Sequence, residues 1–298
     1  MASTETVSAR FKGLDTWPDE AILTAFSDVQ ETAVAAVRAA QPAIAGAAES
    51  IAARSGDAGR LIYTGAGSSG VIAGLDGIEL GGTFSWPDDR LAFVLANSSV
   101  TSGIVGGPED DVALAQSMMA DLRLRPEDSV IAVAASGTTP FTLAAIDAAR
   151  NAGSLTVGIA NNRSAPLLAR VDYPILLETG AEVIAGSTRM GAGTAQKAAL
   201  NMLSSLTMIR LGHIHDGMMV NLRIENAKLR QRAVGTIMHI AGCSEREAVE
   251  ALGRTDDRIK PAVLVARGVA LPDADRLLAA RRGNLRAALA DLEQTGAT

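Results

Sequence analysis

Aromatic side chains make up only 3% of the 298 residues, and cysteine occurs once, as Cys243. One cysteine excludes an intrachain disulfide framework and a cysteine-rich zinc site, and it fits a reducing compartment. With so few rings, the 48% of hydrophobic residues must build a core from Ala, Val, Ile and Leu, a composition suited to helices packed on a parallel sheet. No charge-free stretch reaches the ~18 apolar residues that a membrane-crossing helix needs. No apolar run that could act as a signal peptide follows the N-terminal MASTETVSAR. The net charge of −6 argues against nucleic acid as the main partner. These absences lead to the expectation of a cytoplasmic protein that engages neither membrane nor nucleic acid.

What is present is a strand–helix alternation. Residues 1–16 read as a loose arm, and an Ala-rich helical stretch follows from Asp19 to Arg54. Apolar runs at Arg60–Thr64, Leu91–Ala96, Ser129–Ala134, Leu155–Ala160 and Tyr173–Leu177 read as strands, with helices between them. Continuous rather than alternating apolar runs mark a parallel sheet covered by helices on both faces. Long helices are expected at Arg189–Leu211 and Met218–Ile240. Beyond Cys243 the strands stop, and Ser244–Glu247 has the S-x-x-E form of a capping box. The expected organisation is an α/β domain over 1–240 and a small helical domain over 241–298.

Two loops carry the chemistry. Gly65-Ala66-Gly67-Ser68-Ser69-Gly70 lies between a strand and a helix and matches G-x-G-x-x-G. A dinucleotide site also needs an acid at the end of the next strand. There the sequence has Asn97-Ser98-Ser99. A second loop, Ser136-Gly137-Thr138-Thr139-Pro140, also follows a buried strand and opens a helix. Two such loops at the carboxyl ends of parallel strands can converge on one anion, through backbone N–H groups and the hydroxyls of Ser68, Ser69, Ser136, Thr138 and Thr139. The alternative is a pair of ordinary tight turns with helix caps. Neither loop has the lysine of an ATP-binding loop.

The run Gly186-Ser187-Thr188-Arg189-Met190-Gly191-Ala192-Gly193-Thr194-Ala195-Gln196-Lys197 resembles the signature G-S-T-R-M-K-A-G-T-A-Q-K of the N-acetylmuramic acid 6-phosphate etherases and the related glucokinase regulatory proteins. Asn201–Ser204, Asn226–Arg230, Ser3-Thr4-Glu5 and both Ser/Thr loops extend the likeness over nearly the whole chain. The resemblance implies a sugar isomerase (SIS) type, flavodoxin-like fold: a parallel sheet sandwiched by helices, followed by a small ubiquitin-associated-like domain. It implies a cytoplasmic homodimer that needs no cofactor or metal and binds a sugar phosphate. The reaction it implies is cleavage of N-acetylmuramic acid 6-phosphate by water into N-acetylglucosamine 6-phosphate and D-lactate. The two glutamates of that chemistry correspond to Glu79 and Glu109. The signature adds Ser187, Thr188, Arg189 and Lys197 as binding candidates, and Glu182 as a polar anchor.

This chain departs from the family pattern at several points. Val71 and Thr138 stand where the family has arginine, Gly191 where it has lysine, Gly81-Gly82 where it has two prolines, and Gly106 where it has a glutamate. Loss of charged groups around an anionic ligand favours the second class the resemblance offers, a non-catalytic sugar-phosphate sensor. Retention of both glutamates favours the lyase. An aldose–ketose isomerase is disfavoured by the long signature. His213 and His215 have H-x-H spacing, with only Asp216 nearby to complete a metal site.

Overall fold

The structure, a computed structural model, describes residues 3–56, 58–96 and 107–295. Asn97–Ser99 and Gly106, singled out above, lie outside the described residues. The chain divides into two units. One comprises Met1–Ile78 with Asp89–Ser204, the other Glu79–Asp88 with Ser205–Thr298.

The Ala-rich stretch forms α1 (Asp19–Ala39) and α2 (Gln41–Ser55). The break falls at Ala40, because Pro42 lacks an N–H and is tolerated only in a helix's first turn. Then come β1 (Leu61–Gly65), α3 (Gly67–Phe84), β2 (Leu91–Leu95), α4 (Val112–Asp121), β3 (Ser129–Val133), α5 (Pro140–Asn151), β4 (Leu155–Ala160) and β5 (Tyr173–Leu176). All strand pairs are parallel, in the order β2-β1-β3-β4-β5. Every residue of β1, β3 and β4 is buried, as their unbroken apolar runs require. Side chains alternate between faces. Ile62, Val94, Val130 and Ala132 form one cluster with Ala115 and Met119 of α4 and with Phe141, Ala145 and Ile146 of α5. Tyr63 points the other way, to Asp76 of α3.

The amino-terminal arm is not loose throughout. Ser3–Glu5 forms a short 3-10 turn with Thr4 wholly buried, and the Ser3 backbone N–H and Oγ donate to Asn162 Oδ1 at 2.6 and 2.7 Å. Helix α3 runs to Phe84 and stops where Ser85 adopts a positive φ of 51°. The signature helix α6 spans Gly191–Arg210.

The expected helix over Met218–Ile240 needs correction. Its first residues form β7 (Met218–Met219), which pairs antiparallel with the preceding β6 (Ile214–His215) in a hairpin, and α7 begins only at Ala227. Asp216 and Gly217 both have positive φ, 46° and 75°, as the tightest hairpin turn demands of its two central residues. Asn226 then starts α7 by accepting a hydrogen bond from the Leu229 N–H. In the second unit, α8 (Glu245–Arg254), α9 (Ile259–Ala266), α10 (Leu271–Ala280) and α11 (Leu285–Thr295) follow. Ile259, Ala262, Val263, Leu264 and Val265 of α9 share a core with Ala233 and Ile237 of α7 and Ala248 and Leu252 of α8. Both hydrogen bonds of the Ser244–Glu247 capping box are present.

The edge of the sheet where strands begin is fastened by Asp128, which has no exposure. It accepts from Arg60 N, Nε and Nη2 and from Arg125 N and Nη2. Burial alone would raise the carboxyl pKa, but the Arg60 side chain and the backbone N–H groups of Arg125 and Arg60 outweigh it and hold it below the usual range. A depressed folded-state pKa contributes stability above the unfolded value and loses it as pH falls through the folded one. Asp128→Asn should therefore cost about 3–5 kcal/mol at neutral pH, the scale for breaking a buried ion pair. Denaturant melts should show the gap to the parent shrinking below pH ~4. A gap that is constant with pH contradicts this account.

Candidate functional site

In this strand order the chain reverses its winding between β1 and β3, and ligands of such sheets bind in the crevice at the strands' carboxyl ends. Both loops singled out in the sequence leave from there. Residues 65–70 turn β1 into α3 with very close backbone packing. A Cβ on Gly65 would lie 2.8 Å from the Val133 carbonyl oxygen, and one on Gly70 would lie 2.9 Å from that of Gly65. Helix α3 opens at Gly67, whose first N–H groups have no partner within the helix. After β3, Gly137 takes a φ of 69°, and a Cβ there would stand 2.3 Å from that of Ala165. Thr139 precedes Pro140 at the start of α5 without using its hydroxyl as a cap.

These loops bound a cavity of about 310 Å³. It is lined by Ser68, Ser69, Ser136 and Thr139 from the loops, Thr188 and Gly186 from the signature turn, and the acids Glu109 and Glu5. No lysine or arginine is among the described lining residues. The donors available to an anion are thus hydroxyls and the backbone N–H groups at the start of α3. Glu109 sits directly on Gly67. A Cβ there would be 2.7 Å from Glu109 Oε1, so glycine makes room for the carboxylate. Burial, and secondarily the charge of Asp110, raises the Glu109 pKa above the usual carboxylate range, which suits a group that must exchange protons.

The remaining candidates lie elsewhere. Thr138 is exposed and donates to Ser136 Oγ, fixing that hydroxyl rather than lining the cavity. Ser187 and Arg189 lie in the signature turn without joining the lining residues, and Arg189 is exposed. Glu79 is an exposed residue of α3 in the second unit. Glu182 is buried but faces the start of α6, accepting from the N–H groups of Gly191 and Ala192 at 3.0 and 2.8 Å. His213 pairs with Asn221, and among the described residues no group of three or more His, Cys, Asp or Glu could hold a metal ion. No described helix is long and apolar enough to cross a membrane.

Two features escaped the sequence reading. Glu5 lines the cavity, 181 positions before the signature glycine it abuts, so no local pattern could place it there. Asp76, 1% exposed, accepts from Tyr63 OH, Asn201 Nδ2 and Ser204 Oγ at 2.9, 2.7 and 3.1 Å. Burial raises its pKa against the opposing pull of those donors and of the nearby Lys197 charge. Lys197 therefore faces a buried acid. The signal was a lone acid in the otherwise uncharged run Val71–Ile78.

Fold and cavity together define an α/β protein with a hydroxyl-lined cavity at the carboxyl edge of a doubly wound parallel sheet. Residues 26–161 match the model of the SIS domain. A Bacteroides fragilis chain described as a candidate phosphosugar isomerase involved in capsule formation has a similar fold, with a TM-score of 0.51 at 20% identity, covering 66% of this chain and 94% of that one. An N-acetylmuramic acid 6-phosphate etherase of Deinococcus radiodurans is 43% identical over 295 residues, 98% of this chain and 97% of its own. One from Streptomyces avermitilis is 39% identical over 290 residues, 97% of this chain and 93% of its own. The chain belongs to the N-acetylmuramic acid 6-phosphate etherase family.

One departure from the family signature has a steric setting here. A Cβ on Gly191 would meet Val29 Cγ1 at 2.6 Å. Gly191→Lys should therefore destabilise the fold by roughly 1–3 kcal/mol, the scale of overpacking. Adding Val29→Ala should recover part of that loss, which thermal melts of the two single variants and the double variant would read as non-additivity. Strict additivity contradicts the clash.

Proposed function

We propose that this chain is a lyase that cleaves the D-lactyl ether of N-acetylmuramic acid 6-phosphate, giving N-acetylglucosamine 6-phosphate and D-lactate. The observation that carries the reading is near full-length similarity to etherases at 43% and 39% identity. The cavity fits it chemically. Hydroxyls and helix-start N–H groups suit a phosphate, and the adjoining Glu109 suits proton transfer.

In the open-chain sugar the aldehyde acidifies the proton on the neighbouring carbon. We assign Glu109 to remove it, its raised pKa bringing it closer to neutrality. The electron pair released forms a carbon–carbon double bond as the bond to the lactate oxygen, one carbon further on, breaks. That oxygen needs a proton as it departs, and water then adds to the unsaturated aldehyde. We assign both duties, protonating lactate and activating water, to Glu79 on the strength of the resemblance. Ser68, Ser69, Ser136, Thr139 and Thr188 would hold the phosphate, with Thr138 orienting Ser136. Ser187, Arg189 and Lys197 are proposed to support this binding site. We also propose that the chain acts in the cytoplasm as a homodimer, since α6 exposes Met202 and Ile209 at 42% and 50%. A sedimentation run showing only monomer at micromolar concentration would refute the dimer.

A second reading, a non-catalytic sugar-phosphate-binding regulator, is favoured by the lack of any cation among the described lining residues. Incubation with N-acetylmuramic acid 6-phosphate decides between them: D-lactate release supports the lyase, whereas calorimetric binding without release supports the regulator. Glu79→Gln and Glu109→Gln should each lower the rate by about two to four powers of ten, the range of general acid–base catalysis. In heavy water Glu109→Gln should abolish exchange of the acidified proton. Full activity in Glu79→Gln, or product free of solvent deuterium from the parent, overturns the mechanism.

A further inference from the structure

We propose that Glu5 contacts the sugar and sets the specificity of the cavity, an inference that rests on the sugar-phosphate reading of that site. The residues before it are anchored from three directions. Ser3 donates twice to Asn162 Oδ1, at 2.6 and 2.7 Å. Thr4 is fully buried, its hydroxyl accepts from Asn162 Nδ2 at 3.4 Å, and its carbonyl accepts from the Gly186 N–H at 3.0 Å. Asn162 Nδ2 also donates to the Ala135 carbonyl at 2.8 Å, which ties the same clamp to the loop after β3. Glu5 leaves this anchor as an exposed residue on the cavity wall. Its Oε2 lies 3.0 Å from where a Cβ on Gly186 would stand, so glycine in the signature turn leaves room for the carboxylate.

An ionised carboxylate only accepts hydrogen bonds. A phosphate dianion and the carboxylate of a lactyl group also only accept, so Glu5 is unsuited to either. It is suited to the donors of the ligand, its sugar hydroxyls and the N–H of an acetamido group. The cavity then has two kinds of wall, donors for the phosphate and a carboxylate for the polar body of the sugar. A bare anion gains from the first and is repelled by the second.

The test is calorimetry on the full chain with two probes, N-acetylglucosamine 6-phosphate and inorganic phosphate. Glu5→Gln should weaken the sugar phosphate about tenfold or more, as expected for losing a hydrogen bond to a charged group. It should leave inorganic phosphate unchanged or bound more tightly. A melting temperature equal to the parent's checks that the anchor at Ser3 and Thr4 persists. Sugar-phosphate affinity within about twofold of the parent overturns the proposal, since that is well below the scale of such a bond. So does an equal loss for both probes, which would mark a disturbed loop rather than a lost contact, and so does a parent chain that binds no sugar phosphate. Lactate release is measured separately. A parent that binds N-acetylglucosamine 6-phosphate but releases no D-lactate sinks the lyase reading, while the Glu5 comparison still stands on its binding data.

Discussion

The site depends on how closely the backbones leaving β1 and β3 can approach. These strands are neighbours, and their loops leave from paired positions, Gly65 beside Val133. A methyl group on Gly65 would fall 2.8 Å from the Val133 carbonyl, and one on Gly137 would run into Ala165. Side chains at those points would force the loops apart and widen the crevice between the starts of α3 and α5. With glycine there the two loops stay close, and Ser68, Ser69, Ser136 and Thr139 line the cavity between them. Gly67 plays a second part in the same device, because its missing side chain lets the Glu109 carboxylate settle against the first turn of α3.

This construction lets the cavity offer partial positive charge without a lysine or arginine among its described lining residues. Partial positive charge at a helix start comes from oriented N–H groups, which are fixed by the backbone and bring no bulk. The same economy leaves room for carboxylates in the cavity, where a pair of cations would have neutralised them. Burial, and secondarily the charge of Asp110, raises the Glu109 carboxyl above its ordinary range, and no cation among the described lining residues opposes them.

Much of the fold was legible because it is written locally. Unbroken apolar runs announced buried parallel strands, Ser244 and Glu247 announced a helix start, and hydroxyl-rich loops after two strands marked residues that line the cavity. The hairpin at Ile214–Met219 was legible too, in the Asp216-Gly217 pair, but the apolar residues beyond it were read as helix. What could not be read is made of partners distant in sequence. Ser3 and Asn162 meet across 159 positions, and Asp76 gathers donors from β1 and α6. Glu109 drew attention only through a family pattern, since a glutamate among 33 acids carries no local mark of the glycine it rests on.

The two ends of the strands have been given different work. At the starting edge, Asp128 knots Arg60 and Arg125 together, and at the finishing edge glycines and hydroxyls shape a cavity. Residues that hold the sheet and residues that line the cavity are separated by the length of a strand, five residues or roughly 17 Å. Substitutions that retune the pocket need not loosen the knot, and changes that tighten the knot need not reach the pocket. The scaffold can in this way tolerate drift in ligand preference, and it offers the engineer a place to gain thermal resistance at little risk to chemistry.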